Sequence, residues 1–147
     1  MNRAYVFPGQ GAQVVGMGQA LADAYPEARL VFEEVDEALS FSLSKIIWAG
    51  EIEELTLTEN AQPALMATSI AAFRAMETEG VISDKVKFFA GHSLGEYSAL
   101  VSSESLKFSD ALFLLFERGK SMQEAVPIGE GSMIAVLGSK IDEINNF

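Results

Sequence analysis

A chain of 147 residues, 49% apolar and 21% charged, has the size and composition of one compact domain rather than of a disordered segment. Ten Lys+Arg against 21 Asp+Glu give a net charge of −11, without the cationic excess that a nucleic-acid or anionic-membrane surface requires. The absence of cysteine and the single histidine exclude disulfides, thiolate or His-rich metal sites and cysteine nucleophiles.

No apolar run reaches the ~20 residues of a membrane span, and the first residues lack the apolar stretch of a signal peptide. A cytoplasmic protein is therefore expected. The first element, residues 4–7, is a short apolar run stopped by Pro8-Gly9, which predicts a buried strand entering a glycine-rich loop. Gly9 and Gly11 let that loop's backbone approach a ligand closely, but Val14 stands where a dinucleotide fingerprint needs its third glycine. Taken alone, it is a glycine turn. Past Pro26, Leu30, Val31, Phe32, Val35 and Leu39 recur at helical spacing. The acidic clusters Glu33, Glu34, Asp36, Glu37 and Glu51, Glu53, Glu54 read as solvated faces. Pro63 is expected to open a helix closed by Gly80, with Leu65, Met66, Ile70, Phe73 and Met76 on its apolar face.

Residues 86–90 form a second apolar run, followed directly by Gly91-His92-Ser93-Leu94-Gly95 and a helix. Ser109 is expected to cap a long helix that runs to about Val126 and ends at Pro127. A third strand is expected over residues 133–137, and a last helix from Ser139 to Phe147 has no stop signal, so the sequence reads as a fragment. Strands alternating with helices predict an α/β fold with parallel strands.

Strand, Gly91-x-Ser93-x-Gly95, helix is the pattern of a nucleophile elbow, in which flanking glycines permit a strained turn that lifts the serine hydroxyl out of the strand end. The next helix aims its unpaired N–H groups and positive dipole end at the same place. An ordinary strand-to-helix turn with a capping serine has the same pattern. A serine nucleophile needs a base, yet the one histidine, His92, is its chain neighbour, and adjacent side chains at a strand end diverge. His92 is better suited to fixing the turn by a hydrogen bond. Arg118 lies in a helix whose residues 111–116 are apolar on every side, with Leu114 and Met122 sharing its face. A guanidinium there calls for an anion, either an internal carboxylate such as Glu96 or the carboxylate of a ligand, unless it snorkels to water at the helix end. Gly119-Lys120-Ser121 is not a phosphate-binding loop, because Leu114 occupies the position of its first glycine.

Four stretches, taken together and in this order, closely resemble the malonyl-CoA:acyl carrier protein transacylases and the wider acyltransferase domains of polyketide synthases. They are Phe7-Pro8-Gly9-Gln10-Gly11-Ala12-Gln13, Asn60-Ala61-Gln62-Pro63-Ala64-Leu65, Gly91-His92-Ser93-Leu94-Gly95-Glu96-Tyr97 and Arg118-Gly119-Lys120-x-Met122-Gln123. The resemblance implies part of an α/β-hydrolase-like parallel sheet flanked by helices over residues 1–131, and the start of a ferredoxin-like subdomain over residues 132–147. It implies Ser93 as the nucleophile that is malonylated, the backbone N–H groups of Gln10 and Leu94 as the oxyanion hole, and Arg118 as the partner of the malonyl carboxylate. His92 and Met122 are further candidate substrate-binding residues. The implied substrates are malonyl-CoA and acyl carrier protein; no cofactor, metal, nucleic acid or membrane is implied. The family's catalytic histidine, and the late glutamine that orients it, lie in a segment beyond these residues. A serine esterase or thioesterase, and a catalytically inert fragment, remain as alternatives. A parallel sheet lacking its later strands would leave an open edge and a bare apolar face, which predicts association through that surface.

Overall fold

The first two of the three predicted strands do pair. In the computed structural model, which describes residues 3–82, 86–126, 130–131, 136, 138 and 141–144, β1 (Arg3–Phe7) and β2 (Val86–Gly91) form a two-stranded parallel sheet. Tyr5 lies opposite Phe89 and Phe7 opposite Gly91. A parallel pair needs a long crossover, and here its described residues carry five helices: α1 (Gln19–Ala24), α2 (Pro26–Leu39), α3 (Leu43–Ala49), α4 (Ile52–Thr56) and α5 (Thr58–Thr78). After β2 come α6 (Gly95–Ser102), α7 (Phe108–Ala125) and α8 (Ile141–Ile144). The α/β expectation holds, as a small parallel sheet with helices. Among the described residues, no helix is long and apolar enough to cross a membrane.

Alternation along the strands gives the sheet two unlike faces. Tyr5, Phe7 and Phe89 turn toward Phe73 of α5, with Tyr5 edge-on to Phe73 at 5.7 Å between centroids. Val6 and Phe88 point the other way and are 76% and 64% exposed. The main core is helical. Phe32 and Val35 of α2, Leu43 and Ile47 of α3, Met66 and Ile70 of α5, and Leu112 and Leu115 of α7 meet there with Leu94 from the elbow.

Several sequence expectations shift by a turn or a face. Helix α5 begins at Thr58, not at Pro63, because Leu57 accepts the first-turn bonds from Asn60 and Ala61 (2.9 and 2.8 Å). Pro63 therefore sits inside the helix, where its missing N–H removes only one bond of the second turn. In α2 the buried stripe is Ala28, Val31, Phe32 and Val35, which leaves Leu30 outside it and 56% exposed. Lys107, not Ser109, is the N-cap of α7, because burying Phe108 under Arg74 draws the helix start back. The stretch 111–116 is buried on one side only: Ala111, Leu112 and Leu115 face the core, while Phe113 and Leu114 are exposed. Helices α1, α3 and α4 were not anticipated. The predicted strand at 133–137 lies, apart from the exposed Val136, outside the described residues; of the predicted helix from Ser139, residues Ile141–Ile144 are helical.

The acidic run of α2 is also not wholly solvated. Asp36 accepts from the Ser44 backbone N–H at 2.8 Å and its hydroxyl at 2.6 Å, satisfying a donor in the first turn of α3 from a neighbouring helix. Glu34 pairs with Arg74 at 3.4 Å. Replacing Asp36→Ala should cost about 1–2 kcal/mol in urea unfolding, the range for losing a cap; an unchanged midpoint would show that this contact adds nothing to the fold.

Candidate active site

Parallel pairing makes β1 and β2 end side by side, so the loops that follow them leave on the same side. The His92 N–H extends the ladder by donating to the Phe7 carbonyl at 3.2 Å. The chain then turns sharply. Ser93 adopts φ 54°, in the left-handed region that a non-glycine residue enters at a cost, and the Gly95 N–H closes the turn on the His92 carbonyl at 2.9 Å. Two glycines make this turn possible through contact rather than flexibility. A Cβ on Gly91 would lie 1.9 Å from the Gly95 carbonyl, and one on Gly95 would lie 2.5 Å from the Phe7 oxygen and 2.7 Å from that of Pro8. Buried Leu94 anchors the elbow beneath, and α6 continues from it.

The turn leaves the Ser93 side chain exposed, with Arg118 its one hydrogen-bond partner among the described residues: Nη2 donates to Ser93 Oγ at 3.1 Å. Arg118 Nη1 donates to Gln62 Oε1, and Gln62 Nε2 donates to Met122 Sδ at 3.3 Å. Gln62 is fully buried on α5. Gly119 lets α7 come this close to α5, since a Cβ there would stand 2.6 Å from the Thr58 carbonyl and 2.7 Å from Glu59 Cα. Among the described residues, no carboxylate pairs with Arg118; Glu96 does not reach it. The site thus holds an arginine whose partners are all uncharged, next to a serine hydroxyl.

Ser93, Arg118 and Met122 are brought together, Met122 through Gln62. His92 behaves differently from its expected role. Its imidazole makes no hydrogen bond among the described residues and instead lies against the first loop, with Nδ1 only 2.5 Å from where a Gly9 Cβ would be. Contact, not hydrogen bonding, is how it braces the loop. Gln10 is exposed in that loop, and neither its N–H nor that of Leu94 donates to a protein acceptor among the described residues. No group of three or more carboxylate or imidazole side chains among the described residues could hold a metal ion. Gln62 was quoted in a motif without a role. Its position three and four residues before Leu65 and Met66, on the buried face of α5, was the available signal.

The family described as the acyl transferase domain matches residues 4–145. The chain belongs to that family. Within it, the chain is 53% identical over 135 residues to the malonyl CoA-acyl carrier protein transacylase of Bacillus subtilis (strain 168), covering 92% of this chain and 42% of the relative. It is 46% identical to the Escherichia coli (strain K12) protein of the same name, covering 92% and 43%. The crystal structure of an acyl-carrier-protein-S-malonyltransferase from Bartonella henselae superposes with a TM-score of 0.91 at 52% identity, covering 99% of this chain and 47% of that one. A type II PKS acyl-carrier protein in complex with its malonyl-transacylase matches with a TM-score of 0.81 at 44% identity, covering 86% and 40%. The chain spans less than half the length of these relatives.

In this acyltransferase-family chain the two loops are held together by van der Waals contact at glycine, which gives a direct test. Gly95→Ala should force the elbow away from the Phe7 and Pro8 carbonyls, lowering stability by about 1–3 kcal/mol and displacing Ser93. Thermal unfolding together with a crystal structure of the variant would measure both; an alanine variant with wild-type stability and an unmoved Ser93 would show that the close approach is dispensable.

Proposed function

We propose that the chain carries the nucleophile and acyl-recognition part of a malonyl-CoA:acyl carrier protein transacylase of fatty-acid synthesis, acting in the cytoplasm. The observation that carries this reading is Arg118: a cation with no carboxylate partner among the described residues, 3.1 Å from the hydroxyl of an elbow serine. A simple esterase has no use for such a cation in its acyl pocket, whereas an acyl group ending in a carboxylate pairs with it. The names of the relatives support the substrate, and the solved carrier-protein complex supports the acceptor.

In the proposed reaction Ser93 Oγ attacks the thioester carbonyl of malonyl-CoA while its proton passes to a base. The C–S bond then breaks, and coenzyme A leaves as the thiol once the proton is returned. The phosphopantetheine thiol of acyl carrier protein attacks the malonyl-serine ester in turn, restoring the Ser93 hydroxyl. Negative charge on the carbonyl oxygen is met by the N–H groups of Gln10 and Leu94, reinforced by the N-terminus of α6. Arg118 holds the far carboxylate, Met122 supports it from below through Gln62, and His92 braces the Gly9 side of the pocket. The family resemblance puts the base on a histidine in a segment outside these 147 residues. It also makes residues 1–131 part of a hydrolase-like sheet and 132–147 the beginning of a ferredoxin-like subdomain. The exposed sheet face at Val6 and Phe88 is, on this reading, a surface for association.

The test is selectivity. In a chain that also carries the base, Arg118→Ala should reduce the preference of Ser93 acylation for malonyl- over acetyl-CoA by about 10–100-fold, the range for a charge-assisted hydrogen bond, measured by intact mass after timed incubation. An unchanged preference would remove Arg118 from the acyl pocket.

A further inference from the structure

Arg118 reaches its place by way of a residue that the reaction itself does not require. We propose that Gln62 is the positioning residue that presets Arg118 for a substrate carboxylate, and that its acceptor must be uncharged for the site to work. The inference rests on the reading of Arg118 given above and deepens it.

Both ends of the Gln62 amide are committed. Arginine can only donate, so Oε1 must face Arg118, and Met122 Sδ accepts from Nε2 at the other end, so the amide cannot turn over without losing both partners. The residue is fully buried on α5, and Gly119 fixes α7 against the first turn of the same helix. A long, otherwise mobile side chain is thus held at one nitrogen by a rigid element, and its other nitrogen is left over Ser93. That second bond is the exchangeable one. A carboxylate entering the site takes Nη2 from the Ser93 hydroxyl, while the Gln62 contact remains and the guanidinium does not have to search for its position.

The choice of glutamine follows from charge. A glutamate at position 62 would make the same contact but neutralise the guanidinium and compete with the incoming carboxylate. An apolar residue of similar size would leave the charge intact and the guanidinium unanchored. Only a neutral acceptor both holds Arg118 and leaves its charge available.

Titrations of malonyl-CoA and acetyl-CoA into the chain, followed by calorimetry, test this with Gln62→Met, Gln62→Glu and Arg118→Ala beside the wild type. The wild type should bind malonyl-CoA more tightly than acetyl-CoA. Gln62→Met should cut that ratio about tenfold, and Gln62→Glu should erase it to the level of Arg118→Ala. A residue needed only for packing would weaken both thioesters equally and leave the ratio unchanged in both variants; that result overturns the proposal. So does a glutamate variant that keeps the preference. Two variants of different charge, one neutral and one anionic, keep the test decisive if one of them fails to show cooperative thermal unfolding. A wild type without any malonyl preference would overturn the reading of Arg118 and this inference with it.

Discussion

The site depends on the parallel register of two short strands. Pairing Phe7 with Gly91 makes both strands stop together, and the His92 N–H on the Phe7 carbonyl carries the ladder one residue into the turn. From there the geometry is set by close backbone contact. Gly95 lies on the Phe7 and Pro8 carbonyls, and Gly91 lies on Gly95, so the serine elbow and the first loop share one packed junction. The left-handed backbone at Ser93 is held by that junction and by Leu94, which is buried below it. Strain at one residue is thereby maintained by contacts on both sides of it.

The second component arrives from a different part of the chain. Arg118 and Gln62 belong to α7 and α5, which close on each other through Gly119 and share the main apolar core at Leu112, Leu115 and Met66. A buried polar group is tolerated in such a core only when its hydrogen-bonding capacity is used, and Gln62 uses both ends of its amide there. The outcome is a positive charge fixed beside a hydroxyl, with only neutral partners among the described residues. This is the arrangement that an acyl group bearing a remote carboxylate can exploit, and it accords with the acyltransferase family to which the chain belongs.

Much of this was legible in the sequence, and the reasons differ by element. Strands β1 and β2 and the serine turn were readable because apolar runs meeting glycine leave few alternatives. Arg118 stood out because a cation sharing a face with Leu114 and Met122 demands a partner, and the structure supplies glutamine and serine rather than the alternative Glu96. Pro63 misled because proline at a helix start is a strong local preference, whereas the Leu57 carbonyl begins α5 earlier. Ser109 misled in the same way, since burying Phe108 outweighed a capping hydroxyl. Helices α1, α3 and α4 are too short for periodicity to register, and α3 draws its cap from Asp36 on another helix, which no local pattern can show. Gln62 escaped for a related reason: its role exists only once α5 and α7 are packed.

On the proposed reading, the Ser93 hydroxyl and the Arg118 guanidinium together form one receptor for a carboxylate-bearing acyl thioester. A crystal structure of the chain with malonyl-CoA tests this most directly. The malonyl carboxylate should lie on Arg118, with the thioester carbon facing Ser93 Oγ and the carbonyl oxygen toward the N–H groups of Gln10 and Leu94. A carboxylate bound at another cation, with Arg118 still donating to Ser93, would contradict it.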